Sequence, residues 1–212
     1  MTRRAPLLLA VAVAVSFGMS LGSPRDSAGS DEGSPRDGAG SDETPLALTR
    51  RILTRSNEIV RSNADKKTKL TELSTLLKDF LDTDALADRA AHKHLVGKSD
   101  AEKAEFRQLF HDFFVRTYTQ RLLLFDAPDF AYGAETITGD DAKVGTEVVT
   151  KNDRFAVDYN LHQGPTGWRA NDILVEGVSL AQNFRAQFDA AVAKDSFQGL
   201  LERLRAKVGA PA

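Results

Sequence analysis

The chain has 212 residues, 42% of them apolar, and its 28 lysines and arginines stand against 30 acids for a net charge of -2. That balance argues against a basic nucleic-acid binder, and the apolar fraction argues against wholesale disorder. With 0 cysteines, thiol catalysis, disulfides, cysteine zinc sites and a lipobox anchor are excluded.

Arg3 and Arg4 precede an apolar run from Leu7 to Val15. The run is shorter than the roughly 20 residues a membrane crossing needs and matches a secretory signal. Residues 1–22 are therefore expected to be a signal peptide, with small residues at Gly18 and Ser20 or at Ser20 and Gly22 offering cleavage sites. An uncleaved anchor is the alternative. Next comes a tandem repeat: Gly22 to Glu32 recurs as Gly33 to Glu43, with only Ser27 and Gly38 differing. It holds no bulky apolar residue, so burial cannot offset its ordering entropy. Residues 23–43 read as an acidic disordered linker, whose ends would lie about 25 Å apart as a random coil.

From residue 44 onward the pattern is helical. Leu46, Ile52, Ile59 and Val60 predict a helix over about 46–63. Asp65 or Thr68 can cap a second, with the stripe Leu70, Leu73, Leu76, Leu77, Phe80 and Leu81. Asp82 or Thr83 opens a shorter helix to about His94. Ser99 and Glu102 form a capping box for the longest one. It carries Phe106, Phe110, Phe113, Phe114, Tyr118 and Phe125, and must stop before Pro128.

The period then becomes two. Strands are predicted at Phe130–Thr138, about 142–148, Phe155–Leu161 and Trp168–Glu176, separated by the turns Gly139-Asp140-Asp141, Lys151-Asn152-Asp153 and Gly164-Pro165-Thr166-Gly167. Such short connections imply an antiparallel meander. Two helices end the chain, one from Ser179 to about Ala193 with Leu180, Phe184, Phe188 and Val192, the other from Ser196 to about Val208. A sheet with one apolar face must be covered, and the helices are its cover. The expected fold is α+β: a curved antiparallel four-stranded sheet against several helices, of the cystatin-like or nuclear-transport-factor-like type, with a cavity between the layers.

Catalytic motifs are sparse. His92 and His94 are two apart on a helix and point in different directions, while His111 and His162 stand alone. Ser179 reads as a helix N-cap. Asp158 and Asp172 lie in strands, where a carboxylate facing a cavity could serve as a general base. Asp158 falls opposite Phe155, Val157 and Tyr159, hence outward. Asp172 is ambiguous, because it shares parity with Trp168 and Leu174 while Ile173 and Val175 also alternate; a bulge would reconcile these.

The stretch Asp172 to Phe188, with Val-Glu-Gly-Val-Ser-Leu at 175–180 and Asn-Phe-Arg at 183–185, resembles the MlaC or toluene-tolerance family. So do Gly139 to Val148, Val157 to Leu161 and Phe110 to Leu122, and the likeness spans about 46–206. Ala170 and Asn171 depart from it, standing where members usually have a branched apolar residue and an aromatic. The resemblance implies a periplasmic phospholipid shuttle that works between an outer-membrane lipoprotein–porin complex and an inner-membrane ABC transporter bearing an MCE-domain protein. It implies no catalysis, cofactor or nucleic acid. The implied lipid pocket maps onto Phe110, Phe114, Tyr118, Val144, Val148, Val157, Tyr159, Trp168 and Val175, with Arg116, Arg121 and Arg185 as headgroup candidates. A cavity enzyme using Asp158 or Asp172, or a non-catalytic adaptor, are the competing readings.

Overall fold

The computed structural model describes residues 43–124, 127–151 and 153–209. The expected signal peptide, the tandem repeat up to residue 42, and Phe125 lie outside the described residues. Each of the first four described helices starts at a side chain that accepts a main-chain N–H. In α1 (Pro45–Arg61) it is Thr44, in α2 (Lys66–Phe80) Asp65, in α3 (Thr83–Leu95) Asp82 and in α4 (Asp100–Leu122) Ser99. The Ser99–Glu102 capping box forms as its spacing predicts.

Helix α4 buries aromatics around much of its circumference because three helices surround it: α2, α3 and the C-terminal α5 (Leu180–Gly209). The C-terminal helical run is interrupted at Ser196, whose φ of 69° and ψ of 174° are non-helical. That break falls where the sequence places the start of the last helix.

The sheet is a meander of β1 (Asp129–Thr138), β2 (Asp141–Val149), β3 (Arg154–Gly164), β4 (Gly167–Val175) and β5 (Val178–Ser179), paired antiparallel in that order. The expected strand count of four is corrected to five. The fifth has two residues, made by a turn at Glu176 and Gly177, where Gly177 takes a φ of 77°. A two-residue strand leaves no readable periodicity.

One face of the sheet is buried. Ala142, Val144, Thr146 and Val148 of β2 lie beside Leu161, Tyr159, Val157 and Phe155 of β3, all of them buried. Helix α1 covers β1 and β2, while α2, α3 and α5 meet β4. The α2–α3 junction is tied directly to β4, where the Asp82 N–H donates to the Ala170 carbonyl at 2.8 Å. Ala170 is 1% exposed, so its small side chain suits this close approach.

Candidate binding interior and a polar pocket at its edge

The parity of β4 is settled by a bulge. Leu161 pairs with Ala170 and Asn160 with Asp172, which leaves Asn171 as the extra residue. Before the bulge Ala170 sits beside Leu161; after it Ile173 and Val175 sit beside Tyr159 and Val157. Trp168 and Val175 thus share the inner face despite their odd spacing.

Asp172 pairs with Asn160 and is drawn into the turn that follows. Its carboxylate accepts from the Ser179 hydroxyl at 2.5 Å and from the main-chain N–H groups of Ile173 at 2.9 Å and Ala181 at 3.1 Å. Ser179 in turn accepts from the Gln182 N–H at 3.1 Å, the expected N-cap. Asp158 lies on the other face and pairs with Lys143 at 2.8 Å. Both carboxylates therefore have structural partners. Three of the histidines do too: His94 meets Asp189 at 2.6 Å, His111 the Thr83 hydroxyl at 2.7 Å and His162 the Asp141 carboxylate at 3.3 Å.

Val144, Val148, Val157, Tyr159 and Val175 come together on the inner face of the sheet. Tyr159 packs edge-on against Phe80 of α2 at 5.5 Å and is fully desolvated, which pushes its hydroxyl pKa well above the ordinary tyrosine value. Phe110 belongs to a seam between α4 and α5, 5.1 Å from Phe184 and 5.9 Å from Phe188. Phe114 bridges this seam to Tyr118, whose ring stacks on it at 4.2 Å. Burial raises the Tyr118 hydroxyl to about 12. Phe80, Phe184 and Phe188 join the interior without having been singled out for it. Their helical stripes were legible, but which stripes would meet was not.

Trp168 lies apart from the α4 aromatics. It is half-buried and lines a pocket of about 420 Å³ at the edge of the layers, together with Leu48, Arg51, Lys78, Asp79 and Arg169. The three arginines implied for a headgroup attach to different places. Arg116 donates to the Val208 carbonyl, Arg185 to the Arg89 carbonyl at 2.7 Å, and the Arg121 guanidinium lies 6.0 Å from the Tyr118 ring centre.

A family model described as MlaC protein matches residues 49–206. The chain belongs to the MlaC family. No curated protein matches it. Among solved structures, the phospholipid-binding protein from Ralstonia solanacearum, in complex with a phospholipid, is similar at 19% identity and a TM-score of 0.64. The match covers 80% of this chain and 97% of that one. At this identity the likeness establishes the shared α+β fold of this MlaC-family member. None of its described helices is long and apolar enough to cross a membrane.

Proposed function

We propose that this MlaC-family protein binds glycerophospholipid and carries it through the periplasm. Its partners would be an outer-membrane lipoprotein–porin complex and an inner-membrane MCE-domain transporter. The reading is supported above all by the fold it shares with a phospholipid-binding protein in complex with a phospholipid, over 97% of that protein. The acyl chains would lie between the helices and the inner face, among Phe114, Tyr118, Val144, Val157 and Tyr159. In this organisation residues 1–22 direct export, 23–43 form a tether and 44–212 form the carrier domain.

The physical reason for a carrier is the cost of wetting the tails. Each buried methylene is worth about 0.8 kcal/mol, so some 30 of them cost on the order of 25 kcal/mol in water. A protein that offers equally dry surface removes that barrier without making or breaking a bond. Energy for directional transport would come from the transporter.

Native mass spectrometry of the protein purified from cells tests the reading. Bound phospholipid is expected; a protein free of lipid, and still free after exposure to vesicles, overturns it. The location of the tails is tested by Val157→Arg beside Asp153→Arg. Val157 is 4% exposed on the inner face, so a guanidinium there must be desolvated, whereas position 153 lies in a surface turn. Lipid content is expected to drop in the first variant alone. Equal content in both would place the tails elsewhere.

A further inference from the structure

The pocket beside Trp168 carries more positive charge than its surroundings balance. Arg51 is matched, since its guanidinium donates to both oxygens of Glu43 at 2.8 Å. Asp79, also in the wall, acts on the same Arg51. Arg169 is held differently. One of its nitrogens donates to the carbonyls of Lys78 at 2.9 Å and Leu81 at 2.6 Å, both neutral acceptors. Among the described residues neither Lys78 nor Arg169 forms an ion pair.

Both cations stand at the C-terminal end of α2, whose dipole they complement. That end carries about half a negative charge and Asp79 one more, so with Arg51 matched by Glu43 the two cations still leave the pocket positive, by about half a charge. Their field reaches His111: burial first and Lys78 next hold its imidazole below the usual range against the opposing carboxylates Asp112 and Asp84, with a smaller contribution from Arg169. Lys66 and Lys67 extend the positive surface along the outer side of α2. Trp168 and Leu48 of the core add apolar surface to a lining that is otherwise mostly polar.

We infer that this pocket receives a phosphate group between Lys78 and Arg169, with Trp168 and Leu48 against the carbons attached to it. The inference rests on the phospholipid reading above and assigns the phosphate-bearing end of the lipid to the α1–α2–β4 edge. Lysine supplies a point charge there. Arg169 supplies the N–H groups of its remaining nitrogens, which meet no acceptor among the described residues.

Trp168 is the chain's 1 tryptophan, so its fluorescence reports on this pocket. The full-length protein is titrated with dihexanoyl-phosphatidylglycerol, with dihexanoylglycerol, which lacks the phosphate, and with inorganic phosphate. A saturable shift with the phosphatidylglycerol and none with the neutral glyceride is expected. Lys78→Gln, with an unchanged circular dichroism spectrum, should weaken it about fivefold, the upper end for one exposed charge contact. A shift with inorganic phosphate as well, weakened by the same variant, supports the phosphate site and identifies free phosphate as a further source of its ligand. An equal response to the neutral glyceride, or identical titrations for Lys78→Gln and wild type, overturns the inference. Lipid found by mass spectrometry with no tryptophan response removes this pocket and leaves phospholipid binding standing. Absence of lipid in that measurement removes the binding reading instead.

Discussion

Asp172 is 6% exposed and its carboxylate accepts three hydrogen bonds, from the Ile173 N–H, from the capping Ser179 hydroxyl and from the N–H of Ala181 in the first turn of α5. A carboxylate at a helix N-terminus gains from the dipole as well as from the donors. Removing it strands the Ala181 N–H and the Ser179 hydroxyl in a buried turn. Asp172→Ala should therefore cost about 2–3 kcal/mol in urea unfolding, and Asp172→Asn less, because the amide oxygen still accepts. Retained stability in the alanine variant would refute this role. Ser179 could be read from sequence because a cap acts on its own neighbours. Arg116 and Arg185 could not, since their acceptors lie 92 and 96 residues away along the chain.

Between elements, two features are decisive. Ser196 sits at φ 69° and ψ 174°, a region that costs a residue with a side chain about 1–3 kcal/mol. Its hydroxyl returns only a long 3.5 Å contact with the Gly199 N–H. Ser196→Gly is expected to raise stability by about 1 kcal/mol, read as a higher urea midpoint at constant slope. The second feature is the link between α3 and α5, where Lys93 and His94 meet Asp189 at 2.8 and 2.6 Å. Burial alone would raise the Asp189 pKa, but the bonds from Lys93 and His94 outweigh it and hold the carboxyl below its ordinary value. A depressed carboxyl stabilises the fold above its unfolded pKa and loses that contribution as pH falls through the folded one. Wild type should thus lose stability on acidification below about pH 4 more steeply than Asp189→Asn. Parallel curves for the two would show that the link is neutral. The bulge at Asn171 belongs to this scale too. The mixed parity of Trp168, Asp172 and Val175 announced an irregularity, and the pairing with β3 fixed its position.

Across the described residues, five helices close over one face of a meander, and the aromatic seam between α4 and α5 fills much of the interior. A ligand that enters such an interior binds only the folded state. It therefore stabilises by mass action, by about 2.7 kcal/mol at a hundredfold excess over Kd. Stripping lipid from the purified protein should lower its melting temperature, and adding dihexanoyl-phosphatidylglycerol should restore it. Identical melting curves for loaded and stripped protein would count against an interior site.

Local pattern alone gave the helices, the Ser99 and Ser179 caps, the change from period 3.6 to period 2 at Pro128, the inner faces of β2 and β3, and the family, while it left the α2 and α3 caps as pairs of candidates and did not name Thr44. All of these are encoded in neighbours a few residues apart or in a contiguous motif. Tertiary structure alone decided that Phe110 faces Phe184 and Phe188, that Trp168 stands at an edge with Lys78 and Arg169, and that the three candidate arginines serve different parts of the fold. A stripe shows that a helix has a buried side but not what covers it. A long cationic side chain finds its partner only once elements distant in sequence have packed.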